Sequence, residues 1–79
     1  MAPAEIWQGG RIVNKITRDD KNKHEGTIGG MVGIVRGTNS GCELAVRQAN
    51  GSNVIDTGRL NPGDSITLDG GEIVKSVKK

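Results

Sequence analysis

Residue types that could carry out catalysis are scarce in this chain of 79 residues, which has one histidine, one cysteine and no tyrosine. His24 stands beside Glu25 in a polar stretch, and a general base needs a nucleophile within hydrogen-bond reach. Cys42, Ser40 and Ser65 are the available nucleophiles, and no pattern selects one of them. Cys42 falls on the inward phase of an alternating segment, where cysteine usually acts as a small apolar side chain. The sequence therefore predicts no catalytic residue and no enzyme activity.

Metal-binding patterns are equally sparse. One histidine and one cysteine cannot form a zinc cluster within a single chain. The acidic pairs Asp19-Asp20 and Asp69/Glu72 lack the spacing of a calcium-binding loop. We therefore expect no metal and no cofactor.

A group of closely spaced glycines could bind a ligand through the backbone. The group comprises Gly26, Gly29, Gly30, Gly33 and Gly37. Bare backbone lets a ligand or a second chain approach closely, and successive N–H groups can hold an anion. No Gly-Lys-Ser/Thr follows, and the strand–glycine–helix order of a dinucleotide site is missing. Gly29, Gly30 and Gly33 are the predicted ligand-binding members; the alternative is a bulged or tightly packed strand.

Three arginines are the second group of candidate ligand-binding residues. Arg36, Arg47 and Arg59 each lie on or beside a predicted strand, on its outward phase. Guanidinium groups bind phosphate and carboxylate with two parallel hydrogen bonds. The alternative is that these arginines keep the surface soluble and protect strand edges.

Trp7 is the single aromatic residue of the chain. It could fill the core, or it could anchor an interface, because tryptophan is enriched among interface hot spots; the sequence leaves both open. Stacking of nucleic-acid bases needs several aromatic side chains, and the net charge of +2 is far from a basic stripe. Nucleic-acid binding is therefore not favoured.

The elements that must position these residues are predicted to be strands. Thirteen glycines punctuate the chain and β-branched residues fill the intervals, which favours strands over helices. We expect an N-terminal arm over residues 1–9 and one compact all-β domain over 10–79. The domain is predicted to be a small barrel or sandwich of six to seven short, mainly antiparallel strands.

Individual segments give more specific expectations. Thr27–Arg36 is predicted to be one strand with apolar residues on both faces. Cys42–Gln48 alternates, with Cys42, Leu44 and Val46 facing inward. Asn50-Gly51 predicts a type I′ hairpin turn, and Leu60–Asp64, with its Pro-Gly pair, predicts a second turn.

The small core favours self-association. A short chain buries a modest share of its surface, and small domains often gain stability from disulfides, metals or oligomerisation. A single cysteine forms no intrachain disulfide, so we expect a homo-oligomer. No apolar run of membrane-spanning length and no secretion signal are visible, and we expect a cytoplasmic protein with no membrane partner, in the host cytoplasm if the protein is viral.

Two resemblances of pattern can be stated. The run Gly26–Val77 resembles small molybdate-binding modules of oligonucleotide-binding-like fold in Gly33-Ile34-Val35, Cys42–Val46 and Leu60–Asp64. Those modules assemble into oligomers that hold oxyanions between subunits. They also begin with Ser-Ala-Arg-Asn, which is missing here, so no residue role is carried over. In size, scarcity of aromatics and Gly/Asn turns, the chain also resembles the accessory proteins of bacteriophages.

These observations lead to two expected functions. The first is a non-enzymatic, homo-oligomeric protein that holds a small anionic ligand such as a nucleotide between the glycine-rich strand and the arginines; the second resemblance implies that it is phage-encoded. The second is a structural or protein-interaction module, such as a virion component or an inhibitor of a host protein, that uses residues 1–8 and Trp7 for contact.

Overall fold

The computed structural model describes residues 3–18, 22–51 and 53–77. The described chain forms eight strands. They are β1 (Ala4–Gln8), β2 (Arg11–Ile16), β3 (His24–Ile28), β4 (Met31–Gly37), β5 (Cys42–Arg47), β6 (Val54–Leu60), β7 (Ser65–Thr67) and β8 (Ile73–Ser76). The described residues include no helix long and apolar enough to cross a membrane.

The strands make two four-stranded sheets. The first sheet has the order β2-β1-β8-β7 and the second has the order β3-β4-β5-β6. Every neighbouring pair is antiparallel. The prediction of an all-β fold is confirmed. The expected six to seven strands are too few, and the sheets do not close into a barrel.

Two glycine pairs account for the additional strands. Gly29 and Gly30 have φ values of 57° and 79°, and Gly9 and Gly10 have 62° and 78°. Two successive positive φ angles make a tight hairpin turn whose twist matches the flanking strands. The segment predicted as one strand, Thr27–Arg36, is therefore the β3–β4 hairpin. The segment expected as an arm contains β1, which lies between β2 and β8.

The other two predicted turns have different outcomes. Gly63 has a φ of 99° and Asp64 N donates to the Asn61 carbonyl at 2.9 Å, so the Pro62-Gly63 turn is confirmed. The type I′ prediction at Asn50-Gly51 is wrong, because neither residue has a positive φ. The β5–β6 connection is longer than two residues, and Gly51 N donates to the Gln48 carbonyl at 3.1 Å.

The core lies between the two sheets and is made of small aliphatic side chains. Its members are Ala4, Ile6, Ile16, Leu68 and Val74 from the first sheet and its adjoining turn, and Val35, Cys42 and Leu44 from the second. Burial of each large aliphatic side chain contributes about 1.5–3 kcal/mol. The inward prediction for Cys42 and Leu44 is confirmed, since their exposed fractions are 0% and 6%.

The segment Leu68–Glu72, which connects β7 to β8, links the two sheets along β3. Asp69 N donates to the Thr27 carbonyl at 2.8 Å. A Cβ on Gly26 would lie 2.5 Å from Leu68 Cδ1, so the Leu68 side chain passes directly over that glycine. The connection therefore occupies part of the β3 edge.

Candidate functional site

The backbone N–H groups at the Gly29-Gly30 turn already bind a carboxylate of the same chain. Gly29 N donates to Asp69 Oδ1 at 3.0 Å, and Gly30 N donates to Asp69 Oδ2 at 2.9 Å. These two hydrogen bonds lower the pKa of the Asp69 carboxyl, because they favour its charged form. An external anion at this turn would have to displace Asp69.

Gly33 lies in the interior, away from that turn. It is buried on β4, and a Cβ there would lie 3.0 Å from Leu44 Cδ1 and 3.2 Å from Ile28 Cγ2. The absence of a side chain lets these two residues pack over the strand. Gly33 thus contributes to packing between neighbouring strands in this structure.

The three arginines lie on the outward phase of the second sheet, but they do not converge. Arg36 lies opposite Glu43 in the β4–β5 register, and Glu43 lies opposite Arg59 in the β5–β6 register. These three residues therefore form one row across β4, β5 and β6. Arg36 and Arg59 are two strands apart, roughly 10 Å between backbones. Neither side chain makes an ion pair or hydrogen bond with any residue in 3–18, 22–51 or 53–77.

Arg47 is engaged by its own hairpin. Its Nη1 donates to the Gln48 carbonyl at 3.1 Å and to the Gly51 carbonyl at 2.9 Å. These bonds stabilise the connection between β5 and β6. The six residues predicted to bind a ligand therefore occupy a hairpin turn (Gly29, Gly30), the interior (Gly33) and the outer face of the second sheet (Arg36, Arg47, Arg59).

His24 contacts an acidic residue that sequence reasoning did not select. Its Nε2 lies 2.8 Å from Glu72 Oε1, and the two side chains are 16% and 22% exposed. Glu25, the next residue in the sequence, lies on the opposite face of β3, because side chains alternate along a strand. The pair joins the β3 edge to the Leu68–Glu72 segment, which is a structural role.

Cys42 is fully buried in the core. Burial raises the pKa of its thiol, which a hydrogen bond with Ser76 partly offsets. A buried, protonated thiol is a poor nucleophile. Within the described residues, no group of three or more His, Cys, Asp or Glu side chains could hold a metal ion.

Trp7 lies on the outer face of the first sheet. Ile6 on the same strand is fully buried, so the alternation of β1 directs Trp7 away from the core. Trp7 is paired with Ile12 on β2 and Ile73 on β8. Ile12 is 37% exposed and the adjacent Val13, at the bulge of β2, is 50% exposed. We call Trp7, Ile12, Val13 and Ile73 the Trp7 patch.

Charged groups border the Trp7 patch. The Lys75 ammonium lies 4.1 Å from the Trp7 ring centroid, and Trp7 Nε1 donates to Glu5 Oε1 at 2.9 Å. An open hollow of about 440 Å³ adjoins them, lined by Glu5, Lys75, Ser65 and the Pro62-Gly63 turn among others. The outer face of the first sheet thus combines an aromatic side chain, exposed aliphatic side chains and charged groups of both signs, since Lys15 also lies opposite Glu5.

Sequence reasoning named Trp7 but did not place it. A usable signal was present, because Ala4 and Ile6 alternate with Glu5 and Trp7. That alternation predicts a strand with Trp7 on the polar face.

Comparison of the chain with protein-family models, with curated proteins and with solved structures finds no match. The assignment of a function therefore depends on the geometry of this chain.

Proposed function

We propose that this chain is a non-enzymatic protein-interaction module that binds a partner protein through the Trp7 patch. The observation that supports this proposal is the position of Trp7. The chain has a single aromatic residue, and an aromatic side chain can bury roughly 150–250 Å² of surface. A small core would gain stability from that area, yet Trp7 lies outside the core.

The chemistry of the patch fits a protein partner. Tryptophan is enriched among the residues that dominate interface energetics, and such residues are typically surrounded by contacts that exclude water. Ile12, Val13 and Ile73 supply apolar area beside Trp7, while Lys75 and Glu5 supply charged groups at the border. A partner that presents an apolar side chain flanked by acidic and basic groups would complement this face.

A second candidate function is the binding of a small anion by Arg36 and Arg59. The supporting observation is that both guanidinium groups lack partners among the described residues, whereas Arg47 is bound to backbone carbonyls. The Gly29-Gly30 backbone gives this candidate little support, because Asp69 occupies its N–H groups. Titration of inorganic phosphate or ATP into the protein by calorimetry tests it, with the double variant Arg36→Ala/Arg59→Ala as the comparison. Equal heats of binding for the wild type and the double variant would exclude Arg36 and Arg59 as anion-binding residues.

Site-specific photo-crosslinking tests the principal proposal. A photoreactive amino acid replaces Val13 in the patch, and a matched variant carries it at Thr27, an exposed strand position in the other sheet. In the cells that produce the protein, we expect a discrete crosslinked adduct from position 13 and none of that mass from position 27. Trp7→Thr combined with the position 13 crosslinker should abolish the adduct.

Two outcomes would contradict the proposal. One is an adduct of the same mass from both crosslinker positions, because the contact would then not be specific to the patch. The other is an adduct that persists undiminished in the Trp7→Thr variant. Circular dichroism of each purified variant establishes that the fold is retained.

A further inference from the structure

We propose that two copies of this chain pair antiparallel along β6, which joins their second sheets into one continuous eight-stranded sheet. The proposal uses a different sheet from the Trp7 patch and does not depend on it. It rests on which sheet edges are open, on which backbone groups point outward from β6, and on how the sequence of β6 faces a copy of itself.

The two sheets have four edge strands, and three of them are short, protected or covered. β7 has three residues. β2 carries Arg11 and Lys15 and a bulge next to its turn, which are common protections against edge pairing. β3 has its Thr27 carbonyl bonded to Asp69 N, so the Leu68–Glu72 segment occupies that edge.

β6 is the open edge. It has seven residues, of which the first six are exposed. It contains neither lysine nor proline, its two charges, Asp56 and Arg59, are of opposite sign, and its bulge is at Ile55, near the start of the strand, so that Asp56–Leu60 is regular. Val54 and Ile55 are the most exposed large hydrophobic residues described, at 51% and 55%. A long, exposed, partly apolar edge strand is a template for pairing with another strand.

The ladder of the second sheet shows which backbone groups of β6 point away from β5, where they have no partner among residues 3–18, 22–51 and 53–77. Thr38 N donates to the Gly41 carbonyl at 3.0 Å, and hydrogen-bonded pairs alternate along antiparallel strands. When this alternation is followed from β4 through β5 to β6, the N–H and C=O groups of Gly58 point toward β5. It directs the N–H and C=O groups of Thr57 and Arg59 toward the open edge.

The core side of β6 is also uncovered. Asp56 and Gly58 pair with Val46 and Leu44, whose side chains face the other sheet, yet both β6 residues are exposed. A Cβ on Gly58 would meet nothing within 4 Å. The first sheet therefore does not extend over β6, and a neighbouring copy can approach without a clash at this position.

A two-fold axis fits the sequence of β6. Antiparallel strands related by a two-fold axis perpendicular to the sheet keep their outward faces on the same side, so one residue lies opposite itself and the axis runs midway between its two copies. With the axis at Thr57, Ile55 lies opposite Arg59 of the second copy and Asp56 lies opposite Gly58 of the second copy. No two like charges are then directly opposite, a condition that stable cross-strand pairing requires.

The neighbouring registers are less favourable. An axis at Asp56 places two carboxylates directly opposite each other. An axis at Gly58 leaves Ile55 opposite Asn61, outside the strand. The Thr57 register alone covers Ile55 with the aliphatic part of an arginine and pairs the free backbone groups of Thr57 with each other. A second copy is therefore the occupant that this edge fits.

Sedimentation equilibrium on the purified chain tests the proposal, with Thr57→Lys and the matched variant Thr27→Lys. Both substitutions add a lysine at an exposed position of an edge strand, so both should leave the monomer folded. We expect the wild type and Thr27→Lys to be dimers. Thr57→Lys should raise the dimer dissociation constant at least tenfold, roughly 1.4 kcal/mol, because two lysines would then be directly opposite.

A symmetric disulfide provides the second test. The Cα atoms of a hydrogen-bonded antiparallel pair are about 5.5 Å apart, within the range that a disulfide bridges. Under mild oxidation, Thr57→Cys should form a covalent dimer rapidly and Thr27→Cys should not, while buried Cys42 stays reduced. A monomeric wild type, a dimer that Thr57→Lys leaves unchanged, or equal crosslinking of the two cysteine variants would each overturn the proposal.

Discussion

The Asp69 carboxylate occupies the position that an external anion would take at the Gly29-Gly30 turn. Because its pKa is lowered in the folded chain, its contribution to stability is complete above the ordinary carboxyl pKa, about 4. That contribution is lost as the pH falls through the lowered value. The carboxylate thus stabilises the hairpin in the charged form.

We predict that Asp69→Asn lowers the melting temperature by a few degrees at neutral pH and flattens the dependence of stability on pH in the acid range. The amide offers one acceptor oxygen where the carboxylate offers two, and it does not titrate. Thermal unfolding between pH 2 and pH 7 measures both effects. Asp56→Asn is the control, since the Asp56 carboxylate accepts no hydrogen bond within the described residues. Identical pH profiles for wild type and Asp69→Asn would contradict the assignment.

We also predict that Cys42 reacts with iodoacetamide only after unfolding. Its thiol is buried, and desolvation raises its pKa, so little thiolate is present near pH 8 and none of it is accessible. Mass spectrometry of native and urea-unfolded protein measures the modified fraction. Complete alkylation of the native protein would show that Cys42 is accessible and would reopen its candidacy as a nucleophile.

At the scale of the elements, glycines determine how closely the two sheets approach. A Cβ on Gly37 would collide with the Thr17 carbonyl oxygen and would lie 2.6 Å from Pro3 Cγ. Gly58 lies in the same sheet, and its Cβ would enter open space. A side chain at position 37 would therefore force the backbone to move, whereas position 58 has room for one.

We predict that Gly37→Ala costs about 1–3 kcal/mol of unfolding free energy, because an added methyl group forces the backbone of the two sheets apart. Gly58→Ala should be neutral or should stabilise by about 0.4–1 kcal/mol, since alanine restricts the unfolded chain. Urea unfolding of both variants gives the comparison. Equal losses at the two positions would mean that the close approach at Gly37 is not a packing constraint.

Several of the strands and turns could be predicted from the sequence. Cys42–Gln48 alternates in sequence, and the structure confirms a strand there with Cys42 and Leu44 inward, although it ends at Arg47. The Pro62-Gly63 pair has a specific turn geometry, and that turn is confirmed. The Gly29-Gly30 hairpin was missed because glycine pairs are compatible with a bulged strand as well as with a turn. β1 was missed because a five-residue strand beside a glycine pair looks like a free segment until its partners, β2 and β8, are known.

The candidate site was less predictable for a physical reason. The outward positions of Arg36, Arg47 and Arg59 follow from the alternation of side chains along a strand. The hydrogen bonds of Arg47 and those from the Gly29 and Gly30 N–H groups to Asp69 do not follow from any strand pattern. Asp69 lies 40 and 39 residues from these glycines. Only the packing of the β7–β8 connection along β3 brings them together.

On the scale of the whole molecule, the chain folds without placing its one aromatic side chain in the core. We interpret this arrangement as a small aliphatic two-sheet scaffold that presents the Trp7 patch on one sheet and an open edge, β6, on the other. The first surface would bind a partner protein and the second would bind another copy.

The free energy of unfolding of Trp7→Thr, measured in urea against the wild type, distinguishes a binding role of Trp7 from a role in the fold, and it needs no partner. If Trp7 serves binding, the loss should be about 1–2 kcal/mol, the scale of a partly desolvated contact between a lysine and an aromatic ring, because Trp7 is half-buried and contacts Lys75. A loss of about 3–5 kcal/mol, typical of a buried aromatic side chain, would show that Trp7 serves the fold and would contradict a binding role.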